Sequence, residues 1–311
     1  MKLRQFSAYL AMAFFLAISL MACKNNFEDP SEGAAENNDQ QIRDYLNANQ
    51  LLNRVTPTTT GLYYYFTDTT ATRNKTAQYN EELEFTFTLS YIKGNQAIHV
   101  DSANQTKSSY IPFYRGVMVP GLEEGLLLMR EGQGARFFMP SNLAFGQGIV
   151  DSLKNPVIPP YTPVIFNVQL KRSRTETEQM QDYATLKKLP TPVKVPVTGS
   201  TDSVWVYRLT QGTGPKVTAG QTVTVFYSAS TLRRSAPFEQ EARDVKTGDA
   251  QSTEIEGLLQ GLPQLNVGDK ALLLFASSLG YGAQGSNDQI NYIVPPYSPL
   301  VYEVTVKSAK Q

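Results

Sequence analysis

Side chains capable of covalent or acid–base chemistry are scarce in this sequence. It holds one histidine (His99), one cysteine (Cys23) and one tryptophan (Trp205). Histidine-based proton transfer is therefore confined to a single position, expected on a loop near Asp101 as a solvated side chain. No group of His, Cys, Asp and Glu has metal-ligand spacing, no glycine loop has a nucleotide-binding pattern, and no nucleophile motif is found. Neither a metal nor a cofactor is expected. Aromatic side chains are plentiful, with 17 Tyr and 15 Phe, enough for two aromatic pockets as well as cores. Each phenol adds a polar handle to an apolar wall.

Cys23 has a different context. Lys2 and Arg4 precede an apolar run from Ala8 to Met21, about 14 residues against the roughly 20 that span a bilayer. A basic start and a short apolar stretch ending in small residues is the order of a secretory signal. Leu20-Met21-Ala22-Cys23 resembles the bacterial lipobox. That resemblance implies removal of residues 1–22 and acylation of Cys23; the alternative is a plain signal anchor with a chance cysteine. A lone cysteine in an exported chain has no internal disulfide partner, so acylation gives it a purpose. Lys24 replaces the aspartate that in some bacteria retains lipoproteins in the inner membrane. The expectation is a body lipid-anchored at the bacterial cell envelope, on the outer membrane, with the bilayer as one partner. The 28 basic and 28 acidic residues cancel, which excludes a nucleic-acid binder reliant on a basic surplus.

The elements that could build pockets are written twice. Gly121, Gly125, Gly132 and Gly146 recur as Gly257, Gly261, Gly268 and Gly282, and Pro159-Pro160-Tyr161 as Pro295-Pro296-Tyr297, at a constant offset of 136. So long a period means two tandem domains rather than a solenoid. Residues 23–57 read as a lipidated tether followed by a short helix over 40–54. That helix would be capped by Asp39 and carry Ile42, Tyr45, Leu46 and Leu52 near helical spacing. It either packs on the first domain or pairs with another copy. The first domain spans 58–172, a linker 173–200 and the second domain 201–311. Between the copies, 172–188 suits a helix and Lys194–Thr201 an irregular connection. Each copy has β-rich segments (Leu62–Phe66, Leu83–Tyr91 and Val164–Leu170; Val204–Leu209, Thr222–Tyr227 and Leu300–Val306). Each also has one short helical run, Leu122–Met129 or Leu258–Leu265, the second crowded by Pro263. The fold class is α+β.

These segments resemble one family. Val119-Pro120-Gly121-Leu122-Glu123-Glu124-Gly125, Gly132-Gln133, Leu143-Ala144-Phe145-Gly146 and Ile158-Pro159-Pro160 stand in the order of the FKBP motifs. So do Val225-Phe226-Tyr227, Ile255-Glu256-Gly257-Leu258, Leu279-Gly280-Tyr281-Gly282 and Val294-Pro295-Pro296. The resemblance implies two twisted antiparallel half-barrels, each wrapped around a short helix with an apolar pocket between. It also implies peptidyl-prolyl cis–trans isomerisation of proline-containing polypeptides.

Rotation about an X–Pro amide faces a barrier of about 18–20 kcal/mol, because the C–N bond has double-bond character. No bond is made or broken. A ten-thousand-fold acceleration requires about 5.5 kcal/mol of preference for the twisted amide, within reach of an apolar, water-poor pocket with one or two donors. In the second copy the resemblance assigns Tyr227, Phe238, Glu239, Ile255, Leu258, Tyr281, Val294 and Tyr302 to that pocket. Glu239 stands where the family has aspartate, and Leu258 where it has a floor tryptophan. In the first copy it assigns Phe87, Asp101, Val119, Leu122, Phe145, Ile158 and Phe166. There two phenylalanines replace hydroxyl-bearing tyrosines. The stretch from Phe87 to Gly121 is four residues longer than that from Tyr227 to Gly257, which leaves the register of Asp101 open. The second copy is thus expected to be the more active. The alternative is a non-catalytic chaperone or assembly factor with two apolar clefts.

Overall fold

The computed structural model describes residues 33–103, 107–249 and 251–311. The expected leader, Cys23 and the tether up to residue 32 lie outside the described residues. Helix α1 (Ala34–Ala48) is followed by β1 (Thr56–Pro57), β2 (Tyr63–Asp68), β3 (Glu81–Lys93), β4 (Gln96–Ala103) and β5 (Ser109–Phe113). Then come helix α2 (Pro120–Leu127), β6 (Gly134–Met139), the small hairpin β7 (Ile149–Val150) and β8 (Pro156–Ile158), and β9 (Val164–Arg174). A second series repeats the first: α3 (Glu176–Leu186), β10 (Val193–Pro196), β11 (Ser203–Thr210), β12 (Thr222–Thr231) and β13 (Glu239–Lys246). It closes with α4 (Glu256–Gly261), β14 (Lys270–Phe275), the hairpin β15 (Ser286–Asn287) and β16 (Tyr292–Val294), and β17 (Leu300–Lys310). The main sheets run β1-β2-β6-β9-β3-β4, with β5 also on β3, and β10-β11-β14-β17-β12-β13. Every pairing is antiparallel. The fold is α+β.

Alternation along the strands explains why both sheet faces are apolar. In β6 and β9, Ala135, Phe137, Met139, Val164, Phe166, Val168 and Leu170 point inward, onto Leu122 and Leu126 of α2. Their neighbours Phe138 and Ile165 point outward, where Ile42, Tyr45 and Leu46 of α1 cover them. The second copy repeats this: Leu273, Phe275, Tyr302 and Val304 meet Leu258 of α4, while Leu272, Leu274 and Val301 lie under Met180, Tyr183 and Ala184 of α3. Successive strand residues face opposite sides, so a run such as Ala271–Phe275 is apolar throughout because both faces are buried.

Four expectations need correction. Helix α1 starts at Ala34, not near residue 40, and Asp39 is inside it rather than capping it, paired with Arg43 at 2.7 Å and accepting from the Tyr63 hydroxyl at 2.7 Å. Leu51 is the buried residue after the helix, while Leu52 is exposed. The segment expected as irregular linker instead supplies β10, an edge strand on β11, where Pro196 needs no inner ladder donor. His99 sits on strand β4, opposite Ser90, with an exposed side chain. In the second short helix Pro263 does end the α-helix, which stops at Gly261 and continues as a 3-10 turn, Leu262–Gln264. Among the described residues, no helix is long and apolar enough to cross a membrane.

Helix α3 begins with a capping box. The Thr175 hydroxyl accepts from Glu178 N–H at 3.1 Å, and the Glu178 carboxylate accepts from Thr175 N–H at 2.9 Å. Glu178 also binds Lys75 at 3.0 Å and Arg73 at 3.2 Å. Burial alone would raise its carboxyl, but the Thr175 N–H, Lys75 and Arg73 outweigh burial and hold it at about 2, from an ordinary 4.5. A depressed folded-state value stabilises fully above pH 4.5 and is lost as pH falls towards 2. Glu178→Gln should therefore cost about 1–3 kcal/mol at pH 7, after solvent screening of this partly exposed group. Denaturant midpoints at pH 7 and pH 3 should show the deficit shrinking in acid.

Candidate functional site

The second-copy cleft is assembled from β12, β13, β17, α4 and the loop after β14. Register brings Tyr227 opposite Val304 and Ala229 opposite Tyr302, so the inward side chains of adjacent strands converge. The Tyr227 and Tyr302 rings lie 5.4 Å apart, and Phe275 lies 5.5 Å from Tyr302. Leu258 of α4 and Val294 complete a buried floor; Phe238, Ile255 and Tyr281 form a partly exposed rim packed on it. Phe238 and Tyr281 meet edge to face at 6.1 Å. Seven of the eight expected residues thus share one apolar cluster. Tyr227, Leu258 and Tyr302 are 1%, 0% and 2% exposed, so the rim residues cover the floor from solvent. A leucine floor fills less space than an indole, and the rings close over it.

Glu239, the eighth, lies at the polar edge. Residues 239, 241 and 243 alternate onto one face of β13, and Arg243 is shared by Glu239 at 3.2 Å, Glu241 and Glu254 at 2.9 Å. The Tyr227 hydroxyl donates to Glu241 at 2.9 Å. Glu241, Arg243 and Glu254 were missed in the sequence. The signal for the first two was the charged alternation of an edge strand beside an aromatic strand. Burial, then the bonds to Glu241 and Glu239, push the Tyr227 phenol well above the usual range. Burial and the adjoining Tyr281 hydroxyl do the same to Tyr302. Burial raises the Tyr281 phenol as well, so all three are neutral donors at physiological pH. The site offers an apolar floor, hydroxyl donors and a charged rim, and its chemistry is binding and polarisation.

The first copy keeps the same strand register around its cleft. Phe87 lies opposite Val168 and Leu89 opposite Phe166, the positions of Tyr227 and Ala229. Phe87 and Phe145 lie 5.9 and 6.4 Å from Phe166, and Val119, Leu122 and Ile158 join the same cluster. Sheet register also fixes Asp101: it lies opposite Leu89 as Glu239 lies opposite Ala229. Its side chain is exposed and accepts from Ser102 N–H at 2.7 Å, apart from the aromatic cluster. The length excess falls partly in the β3–β4 hairpin and partly between β4 and β5, where the first copy splits the edge strand that is continuous as β13. Val100 then occupies the place of Phe238, packed on the core. It went unnoticed because the wall is aliphatic there and the insertion shifts the count.

The cavities elsewhere do not coincide with either cleft floor. One of about 310 Å³ lies between the copies, lined by Tyr110, Pro112, Leu232, Arg233, Tyr292 and Pro299 among others. Another, of about 360 Å³, opens beside Phe87, Ala103 and Val168. Among the described residues, no group of three or more His, Cys, Asp and Glu is placed to hold a metal.

A family model described as FKBP-type peptidyl-prolyl cis-trans isomerase matches residues 73–171 and 214–307. The chain is 41% identical over 56 residues to the chloroplastic FKBP16-3 of Arabidopsis thaliana, covering 18% of this chain and 25% of that protein. It is 30% identical over 106 residues to FK506-binding protein 1 of Gibberella zeae, covering 32% of this chain and 91% of that one. The crystal structure of the three FKBP domains of wheat FKBP73 aligns over 81% of this chain and 96% of that chain, at 16% identity and a TM-score of 0.37. The chain spans about a quarter of the length of the longer curated relatives it matches. With the family model matched over both copies and more than half of its length, this chain belongs to the FKBP-type peptidyl-prolyl cis-trans isomerase family.

Proposed function

We propose that the protein is a peptidyl-prolyl cis–trans isomerase whose second copy performs most of the turnover. One observation carries the asymmetry: Tyr227, Tyr281 and Tyr302 surround one cleft, while Phe87, Phe145 and Phe166 surround the other. A prolyl ring would sit on Leu258 and Val294 beneath Phe238. A water-poor pocket favours the twisted amide, whose carbonyl is less charge-separated than the planar one, and the Tyr281 hydroxyl would donate to that carbonyl. Acylated Cys23 would tether the protein to the bacterial outer membrane, where it would assist folding of exported, proline-containing chains.

The leucines at 122 and 258 and the closed floor favour a second reading, in which the clefts hold polypeptides without turnover. A protease-free cis–trans assay on the full chain separates the two. Tyr281→Phe should lower kcat/KM about tenfold, equivalent to roughly 1.4 kcal/mol of lost transition-state contact, while Phe145→Leu leaves it nearly unchanged. An inactive wild-type chain that still binds unfolded polypeptide would establish the second reading instead.

A further inference from the structure

Each sheet carries a helix on its outer face, and the two helices share a device at their N-terminal ends. In the first copy, Asn38 of α1 accepts the Ser141 N–H at 2.7 Å and donates to the Tyr161 carbonyl at 2.8 Å. In the second, Glu176 of α3 accepts both the N–H and the O–H of Ser277, at 2.5 and 2.6 Å. Ser141 and Ser277 are equivalent under the 136-residue offset. Each stands four residues before the aromatic of the cleft loop, Phe145 or Tyr281. The helix side chains therefore latch the loop from behind.

Ser277 is a pivot for that loop. Its carbonyl accepts the N–H groups of Gly280 and Gly282, both at 2.8 Å, and these bracket Tyr281. The Tyr281 carbonyl in turn accepts from Gly285 N–H at 3.0 Å. Moving Ser277 by an ångström would move the Tyr281 ring against Phe238 and its hydroxyl against Tyr302. A carboxylate is a costly choice for a half-buried place: burial raises its pKa, and the two Ser277 donors act against that rise. A neutral amide performs the same task for the Phe145 loop.

The helix bearing Glu176 is also fastened to the first copy. Glu178 binds Lys75 and Arg73, Asp182 binds Arg174 at 2.8 Å, and Gln179 donates to the Arg174 carbonyl at 3.4 Å. We propose that Glu176 is a positioning residue for the second cleft, holding the Tyr281 loop through Ser277 in a frame that the first copy keeps still. The inference rests on the isomerase reading for its kinetic consequence, while its structural part stands alone.

The test uses the full chain. In Glu176→Ala, hydrogen exchange at the Gly280, Gly282 and Gly285 amides should accelerate at least tenfold, with the strand amides of β12 and β17 unchanged. In the cis–trans assay the same variant should lose about tenfold in kcat, with KM altered less. Glu176→Gln keeps an acceptor for the Ser277 N–H, as Asn38 does for Ser141, and should recover both readouts to within about threefold. Unchanged loop exchange in Glu176→Ala overturns the proposal, and so does loosened exchange with wild-type kinetics. Loosened exchange rescued by glutamine, in a chain whose wild type shows no turnover, would uphold the latch and sink the isomerase reading instead.

Discussion

Arg174→Met should destabilise the first copy by about 3–5 kcal/mol, the range for stripping one partner from a buried ion cluster. The Arg174 guanidinium, 9% exposed as a side chain, binds Glu84, Asp182 at 2.8 Å and Glu82 at 3.5 Å. Arg233 from the second copy completes the group, gripping Glu82 through two nitrogens, at 2.8 and 2.5 Å, over the Tyr110 ring at 4.2 Å. Without Arg174, Glu82 keeps one cation and Glu84 keeps none within this cluster. Burial alone would raise the Glu84 carboxyl; Arg174 outweighs burial and holds it below the usual range. With the arginine gone, that carboxylate must ionise unpaired, so the deficit should be largest at neutral pH and shrink towards pH 4. Denaturant unfolding at pH 7 and pH 4 measures it. Arg174→Met combined with Glu84→Gln should recover part of the loss, because it removes the orphaned charge.

Gly257→Val should cost at least about 3 kcal/mol and abolish turnover in the second copy, because the added side chain overpacks the helix-to-sheet contact and pushes the helix off the sheet. A Cβ at 257 would lie 2.5 Å from three carbons of the Phe275 ring. That ring is fully buried and packs on Tyr302, so the displaced part is α4 itself, with Leu258 and Ile255. Gly125→Val, at the position equivalent to Gly261, makes a comparable helix-to-sheet clash in the first copy, where a Cβ meets Phe137 at 2.7 Å. Comparing the two variants in the cis–trans assay apportions activity between the clefts. Loss of turnover with Gly125→Val but not Gly257→Val would reverse the proposed asymmetry.

These glycines show what could be read without coordinates. Helix-to-sheet contact this close admits no side chain, so Gly121, Gly125, Gly257 and Gly261 stand out at a fixed spacing in a variable background. The aromatic and apolar lining was legible through the resemblance to the FKBP motifs, whose order both copies keep. The outer helices were not. Ile42, Tyr45, Leu46 and Leu51 correspond to Met180, Tyr183, Ala184 and Leu189 at an offset of 138, not 136, and only the tyrosine and the final leucine are the same in both. Asp39 suggested a helix start because aspartate is a common N-cap residue, whereas Asn38 ahead of it is held by Ser141 and Tyr161, more than 100 residues away, and local capping rules carry no trace of that. The ion cluster on β13 was hidden likewise, since an alternating charged strand reads as a solvated edge until its neighbour is known to be Tyr227.

The outer helices also determine where this chain can be cut. A fragment beginning at Thr201, where sequence motifs suggest that the second domain starts, would leave α3 and β10 behind. It would present Trp205, Tyr207, Leu272, Leu274 and Val301 to water as one contiguous greasy face, beside a newly bared strand edge on β11. Such a surface invites self-association, and the fragment would precipitate although its cleft is intact. A fragment beginning at Thr175 takes the capping residue and its helix along, and so carries its own cover into solution.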